Sequence, residues 1–131
     1  GGPDEAARSD KLCQEIAKEN INVLKNNPNN TVKEFSSLVN LCDMMVCGDS
    51  LALHISLALK KPTVGLFFCT SSTEIEDYNL LKKLSSPRLY EFFPEKMNVY
   101  NEDLTKSIKA EEVFSEVKKI LNSSKVFNKK K

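Results

Sequence analysis

A small set of polar residues stands between two apolar segments in the middle of the chain. Gly48-Asp49-Ser50 directly follows the apolar run of residues 44–47 and precedes the largely apolar residues 51–60, which include His54. A short continuous apolar run is typical of a strand covered on both faces, and the longer segment predicts a buried helix. The polar block is therefore predicted to lie where a buried strand leads into the N-terminus of a helix.

The chemistry that this block suits is the binding of an anion. A helix N-terminus offers unpaired N–H groups and about half a positive charge, which together favour a phosphate or diphosphate. Ligands of open α/β sheets bind at the carboxyl ends of strands. Ser50 can cap the helix, Asp49 can complement its dipole, and His54 lies one turn in on the face of Ser50. A structural interpretation is also open, in which Asp49 and Ser50 only cap a core helix and His54 is hydrogen-bonded in the interior.

The same block is similar to the nucleophile block of GDS-type esterases and lipases. Those enzymes carry Gly-Asp-Ser-Leu near the start of the domain and use a histidine late in the chain as the base. A serine hydroxyl is a weak nucleophile without such a base. The single histidine here, His54, lies on the predicted helix that Ser50 opens. A hydrolase is therefore the most remote alternative.

The elements around the block alternate between helix and strand. Helices are predicted over residues 4–18, from residue 31 onward, and over 51–60, 78–84 and 110–121; strands are predicted over 21–24, 44–47, 63–68 and 97–100. Thr31 and Glu34 form a capping box. Alternating strands and helices predict an α/β fold with a doubly wound parallel sheet and right-handed crossovers. Because no strand precedes the first helix, we expect a domain that lacks its first strands.

The composition is that of one soluble domain. The chain has 131 residues, of which 40% are hydrophobic and 28% charged. Its net charge of +1 argues against a nucleic-acid partner. Residues 122–131 hold four lysines and no acid, so +1 − 4 leaves −3 for residues 1–121. From Ser123 onward we expect a frayed, basic polar tail.

The cysteines indicate a reducing compartment. Cys13, Cys42, Cys47 and Cys69 include no C-x-x-C pair, and one histidine cannot complete a common zinc set. We expect small apolar thiols, no structural disulfide and no metal. No apolar run reaches the length of a membrane span, and we expect no signal peptide in the first residues, which lack both a basic and an apolar region.

The order and spacing of several motifs resemble the C-terminal domain of family 9 glycosyltransferases, the ADP-heptose:lipopolysaccharide heptosyltransferases. Asp49-Ser50-Leu51-Ala52-Leu53-His54 matches the family's Asp-Ser/Thr-Gly-x-x-His block. Leu-Ala-Leu-Lys-Lys-Pro-Thr-Val at 57–64 and Leu-Phe-Phe-Cys-Thr at 66–70 match the family's Lys-Pro-Thr/Val and Phe-Gly-x-Thr segments. Gly1-Gly2-Pro3-Asp4-Glu5 is similar to its Gly-Gly-x-x-Glu loop. The resemblance covers most of residues 1–121.

The resemblance implies a divergent, Rossmann-like C-terminal half of a GT-B fold, with residues 1–121 as a partial nucleotide-sugar-binding domain. The full-length parent would transfer heptose, or a related sugar, from an ADP-sugar to the lipopolysaccharide core. The reaction would be inverting, metal-independent and free of any cofactor. The acceptor and the catalytic base would belong to a missing N-terminal domain, so this fragment alone would be inactive.

The resemblance also implies which residues bind the donor. They are Glu5, Asp49, Ser50, Leu51, Ala52, His54 and Thr70. Glu5 would contact the adenosine ribose, residues 49–52 would form the diphosphate or sugar turn, His54 would orient it, and Thr70 would line the opposite wall. No catalytic residue is implied within this fragment.

Two departures from the family pattern support a different alternative. Leu51 and Phe68 stand where the family has glycine, a residue that lets the backbone approach a ligand closely. They favour a non-catalytic nucleotide-binding or interaction module of the same fold, and they leave the donor sugar open. The acidic loop at 74–77 is interpreted as solvated surface, with a contact from one carboxylate to a sugar hydroxyl as the alternative.

The expected partners follow from the resemblance. They are a nucleotide sugar, a lipid-linked saccharide acceptor and the missing N-terminal domain. The expected location is cytoplasmic. Lys125 and residues 129–131 add the expectation of a peripheral contact with the anionic inner membrane.

Overall fold

A computed structural model of the chain describes residues 5–73, 75–96 and 101–129. The chain divides into two compact units, Gly1–Leu38 and Val39–Lys131, and each is considered by itself. The predicted strand at 97–100 lies outside the described residues.

The first unit is helical where it is regular. Helix α1 spans Ala6–Ala17 and buries none of its residues, and an ion pair joins Lys25 to Asp10. Helix α2, Val32–Leu41, begins in this unit and continues into the second. The capping box at its start is confirmed: the Thr31 amide donates to the Glu34 carboxylate at 2.7 Å, and the Glu34 amide donates to the Thr31 hydroxyl at 3.2 Å.

The predicted strand at residues 21–24 is wrong. These residues form no regular structure, and Ile21 and Leu24 are largely exposed. A strand needs a neighbour to pair with its backbone. Within the described residues, the one sheet consists of strands from the second unit.

That sheet is three-stranded, parallel and open, as expected for a Rossmann-like α/β fold. Its strands are β1 (Met45–Gly48), β2 (Thr63–Phe67) and β3 (Leu81–Ser85), in the order β1-β2-β3. The register pairs Gly48 with Leu66 across β1 and β2, and Phe67 with Ser85 across β2 and β3. Their carboxyl ends therefore lie along the same edge.

Helix α3, Leu51–Ala58, connects β1 to β2 and packs on both strands. It contributes Leu53 and Leu57 to a core completed by Phe67, Leu81 and Leu89. The expectation that the helix is buried all round is wrong, because Leu51, His54 and Ala58 are exposed. The helix packs on β1 and β2 with one face, so its opposite face remains exposed.

Helix α3 ends two residues before the predicted Lys60. The Lys60 amide donates to the Leu57 carbonyl and the Lys61 amide to the Ser56 carbonyl, the paired bonds of a Schellman motif. Lys60 carries the left-handed conformation that this motif requires, with φ of 58°.

Strand β3 corrects a further expectation, the short helix over residues 78–84. Leu80, Leu81 and Leu84 have the spacing of one helix face. Tyr78 and Asn79 both have positive φ, and these residues form a turn instead. Residues 81–85 then pair with β2, so the tertiary contacts of the sheet override the local pattern.

The rest of the second unit is helical. Short helices α4 (Leu89–Phe92) and α5 (Glu102–Thr105) precede α6, Ala110–Lys129, which contacts β2. The predicted helix over 110–121 is confirmed, but the frayed tail from Ser123 is wrong. Residues 110–129 contain no glycine or proline to end the helix. Among the helices of the described residues, none combines the length and apolarity needed to cross a membrane.

Candidate functional site

The candidate site is built at the junction between β1 and α3. Strand β1 ends at Gly48 and α3 begins at Leu51, so Asp49 and Ser50 form the connection at the carboxyl edge of the sheet. Ser50 is the N-cap residue and has the extended backbone, φ −154° and ψ 176°, that this position favours. The predicted passage from a strand to a helix N-terminus is confirmed at these residues, but the expectation that the strand is covered on both faces is wrong. Residues 45–48 alternate between half-buried and exposed, and Val46 is 44% exposed.

The Ser50 side chain does not cap the helix, which corrects one expectation. Its hydroxyl donates to the Gly48 carbonyl oxygen at 3.3 Å and makes no cap hydrogen bond. The Leu53 amide donates to the Ser50 carbonyl oxygen at 3.1 Å. The backbone N–H groups of Leu51 and Ala52 have no acceptor in the part of the chain that the structure describes. Two donors at the positive end of α3 are therefore open to a ligand.

Leu51 leaves these donors accessible. Its side chain is 58% exposed, so it does not fill the junction with apolar atoms. Gly48 leaves room as well, because the nearest heavy atom to an added Cβ is the Leu66 carbonyl oxygen at 3.8 Å. The departure from glycine at Leu51 is compatible with an anion at the amides of α3.

Asp49 and Thr70 flank the junction by topology. Asp49 is exposed beyond the end of β1, and Thr70 is half-buried in the bend beyond the end of β2. The pairing of Gly48 with Leu66 brings these strand ends together, so both residues belong to the same edge of the sheet. A carboxylate accepts hydrogen bonds and a hydroxyl donates or accepts them, which suits the hydroxyl groups of a sugar.

His54 is exposed on α3, so its interpretation as an interior, hydrogen-bonded histidine is wrong. It lines a cavity of about 780 Å³ between α3 and residues 75–80, which we call the α3 cavity. The apolar part of its lining consists of Leu57, Ala58, Ile75 and Leu80. Its polar part consists of His54, Lys60, Glu76 and Tyr78.

Sequence reasoning missed most of this lining. Lys60 was assigned to the segment at 57–64 but not to a site, and Ile75, Tyr78 and Leu80 were given no role in one. The stretch from Tyr78 was predicted to be helical. The signal that was present is Asp77-Tyr78-Asn79, since Asp and Asn favour turns. The Asn79 amide donates to the Asp77 carboxylate at 2.9 Å, as such a turn requires.

Glu5 belongs to the first unit. It is exposed and occupies the N-cap position of α1, with no side-chain cap hydrogen bond. Its predicted contact with the donor ribose remains a prediction.

Among the described residues no disulfide joins the cysteines, and Cys42 is exposed rather than buried as expected of a small apolar thiol. Cys47 on β1 packs against the core, and burial raises its pKa above the usual value of 9.0. Among the described residues, no three His, Cys, Asp or Glu side chains are grouped to hold a metal ion. The expectation of a metal-independent reaction remains a prediction.

The hydrolase alternative gains no geometric support. The Ser50 hydroxyl bonds to a backbone carbonyl, and His54, which has no hydrogen bond to Ser50, is the sequence's single histidine. A serine without a base partner is not activated for nucleophilic attack.

Comparison with known proteins gives one match. The sequence model of the family described as glycosyltransferase family 9 (heptosyltransferase) matches residues 1–101. No curated protein matches the chain, and no solved structure does.

Proposed function

Because the chain belongs to glycosyltransferase family 9, we propose that it binds the nucleotide-sugar donor at the junction between β1 and α3. Donor and acceptor sugars are the substrates of a glycosyltransferase in general. The finer proposal is that the donor is ADP-heptose or a related ADP-sugar and that the acceptor is the lipopolysaccharide core. The observation that carries the proposal is the pair of open N–H groups at Leu51 and Ala52.

The diphosphate is the part of the donor that these amides suit. When the acceptor hydroxyl attacks the anomeric carbon, the bond from that carbon to the diphosphate breaks and ADP leaves as an anion. Amides fixed at a helix N-terminus stabilise the developing charge without reorganising. In this proposal, Leu51 and Ala52 bind the leaving group, and attack from the face opposite to it inverts the anomeric centre.

The side chains around the junction have positioning roles in this proposal. Asp49 accepts a hydrogen bond from a hydroxyl of the donor sugar, and Thr70 lines the opposite wall. His54 orients the sugar from the first turn of α3. Glu5 contacts the ribose.

The remaining parts of the reaction are assigned outside this chain. A separate N-terminal domain supplies the base that takes the proton of the acceptor hydroxyl, and it binds the lipid-linked acceptor. No metal and no cofactor takes part. On this proposal the 131-residue chain binds the donor without transferring its sugar.

The proposed location is the cytoplasm, with a peripheral contact at the inner membrane. The supporting feature is charge: residues 122–131 carry four lysines and no acid. Each lysine held near an anionic bilayer adds roughly 1 kcal/mol of attraction.

A single substitution tests the anion site directly. Leu51→Pro removes one open N–H group at the first helical position, where proline is well tolerated and where extended Ser50 suits a following proline. Leu51→Ala is the matched control, because it shortens the side chain and keeps the N–H. By calorimetry, we expect Leu51→Pro to weaken ADP binding about tenfold or more, the value of one hydrogen bond to a charged group, and Leu51→Ala to leave it near the wild-type value. Equal ADP affinities for the two variants, or no binding to the wild type, would contradict the proposal.

The non-catalytic module remains a second candidate, and the observation that favours it is the pair of departures at Leu51 and Phe68. Both candidates bind ADP. They differ in catalysis. The donor-binding domain transfers sugar when it is combined with its proposed partner domain, whereas the non-catalytic module transfers none.

A further inference from the structure

Two opposite charges line the α3 cavity without pairing with each other. Within residues 5–73, 75–96 and 101–129, the side chains of Lys60 and Glu76 have neither a hydrogen bond nor an ion pair, and neither does that of Tyr78 beside them. The cavity volume of about 780 Å³ falls in the range of small-molecule sites. An ammonium and a carboxylate are therefore both open to one small ligand.

Lys60 stands where the backbone favours a different residue. Its φ is 58°, at the position after α3 where a Schellman motif most often has glycine. Glycine adopts this conformation without steric cost, whereas a residue with a Cβ does not. Because the Lys60 side chain makes no polar contact within the described residues, its charge serves no ion pair of the fold there. The ammonium is available for an anionic group.

Glu76 and Tyr78 belong to the other wall of the cavity and suit a cation. Tyr78 also has a left-handed backbone, with φ of 50°, and its side chain is 64% exposed. Strain of this kind concentrates at functional sites. A carboxylate attracts an ammonium directly, and the face of an aromatic ring attracts it through a cation–π interaction. These two side chains together define the place for a positive group.

The wall formed by residues 75–80 is held from both sides. On one side, the Lys83 ammonium donates to the Ile75 carbonyl oxygen at 2.5 Å. On the other, the Leu80 amide donates to the Asp77 carbonyl oxygen at 2.8 Å. The wall is therefore preformed, and a ligand does not have to order it.

The charges and the apolar lining together define the class of ligand. A ligand with only a negative group would be repelled by Glu76, and one with only a positive group would be repelled by Lys60. A ligand with one group of each sign satisfies both side chains. The remainder of the lining is aliphatic and consists of Leu57, Ala58, Ile75 and Leu80. This surface suits an apolar group of the same ligand.

An α-amino acid with an aliphatic side chain has all three groups on one carbon atom. We propose that the α3 cavity binds such a free amino acid. Its carboxylate pairs with Lys60, its ammonium pairs with Glu76 and lies against the ring of Tyr78, and its side chain packs on the aliphatic lining. The open amides of Leu51 and Ala52 do not line this cavity, so the inference goes beyond the proposed function.

The test is a titration of the full chain with L-leucine, followed by two-dimensional amide NMR. We expect shift changes at Leu57, at Lys60 and at residues 75–80. N-acetyl-L-leucine lacks the ammonium and L-leucinamide lacks the carboxylate. Each should bind about tenfold or more weakly than L-leucine, the value of one hydrogen bond to a charged group.

Substitutions assign each charge of the ligand to its side chain. Lys60→Gln should weaken L-leucine about tenfold and leave the weak binding of L-leucinamide unchanged. Glu76→Gln should weaken L-leucine by a similar factor and leave N-acetyl-L-leucine unchanged. Lys61→Gln and Glu95→Gln are the matched controls, because neither residue lines the cavity, and both should keep the wild-type affinity. Amide shifts far from the cavity show whether each variant keeps its fold.

Three results would overturn the inference. The first is the absence of shift changes when L-leucine is added to the wild type. The second is equal affinity for L-leucine and its two derivatives, which would mean that the charges are not recognised. The third is equal L-leucine affinity for Lys60→Gln and Lys61→Gln, or for Glu76→Gln and Glu95→Gln.

Discussion

Adjacent residues at the start of α3 have different surroundings. The Ser50 hydroxyl is engaged with the Gly48 carbonyl, whereas the Leu51 and Ala52 amides remain open. Asp49 precedes the N-cap and has an exposed carboxylate. The N–H groups at the start of α3 are therefore not capped by neighbouring side chains. We expect Asp49 to bind a ligand rather than to cap the helix.

Asp49→Ala tests this division of roles. We expect the affinity for ADP-heptose to fall about 10- to 100-fold, the value of one hydrogen bond to a charged group. The affinity for ADP, which lacks the sugar, should hardly change. The free energy of unfolding should change by less than about 0.5 kcal/mol, as for other exposed positions. Calorimetry and thermal melting provide the two measurements.

Asp43→Ala is the matched control, since Asp43 is exposed and lies before β1. It should change neither affinity nor stability. If Asp49→Ala lowers stability in proportion to its loss of donor affinity, Asp49 has a capping role only.

At the scale of elements, the sheet depends on a close approach in β2. A Cβ at Gly65 would lie 2.9 Å from Leu81 Cδ1 and 2.9 Å from the ring of Phe67. Phe67 is completely buried and cannot move aside without disturbing the core. Gly65 is therefore fixed by packing rather than by backbone conformation.

Gly65→Ala should lower the free energy of unfolding by about 1–3 kcal/mol, the usual cost of overpacking a core. Gly48→Ala is its control on β1, where the nearest atom lies at 3.8 Å, and it should be nearly neutral. Denaturant unfolding of both variants measures the difference. A smaller loss for Gly65→Ala than for Gly48→Ala would show that this packing argument is mistaken.

The sequence predicted those elements whose local pattern agrees with their tertiary partners. Strands β1 and β2 are apolar runs that pair with each other, and α2 begins at its capping box. The segment at 81–85 was mispredicted because its leucines have helical spacing and its strand conformation depends on β2. Ile21 shows the converse: an apolar residue type alone does not make a strand without a partner.

The candidate site was predictable only in part, because some of its residues are brought together by tertiary contacts and not by a local pattern. The block at residues 48–54 is contiguous in sequence, so its position at a helix N-terminus could be inferred. The α3 cavity brings His54 to Glu76 and Tyr78 through the fold. No spacing rule links these residues, and the turn that presents Tyr78 depends on backbone conformations that sequence patterns do not reveal.

At the scale of the whole molecule, burial of Cys47 gives stability a dependence on pH. Its folded pKa lies above the unfolded value, because burial disfavours the thiolate. The contribution of this thiol is therefore fully present below pH of about 9 and is lost as the pH rises through the folded pKa. We expect the free energy of unfolding to fall above pH of about 9 more steeply in the wild type than in Cys47→Ala.

Denaturant unfolding at a series of pH values measures this slope. Cys42→Ala is the matched control, because Cys42 is exposed. Parallel curves for the wild type and Cys47→Ala would show that the thiol does not contribute.

The connection from β2 to β3 has no helix in its described residues, although a parallel crossover usually carries one. Of the residues around the turn, Ile75 and Leu80 pack against the core, whereas Glu76 and Tyr78 remain at the surface. The apolar positions of this short segment hold it on the core, and its polar positions face solvent. Substitutions at Glu76 and Tyr78 should consequently change the lining of the α3 cavity at little cost to the stability of the sheet.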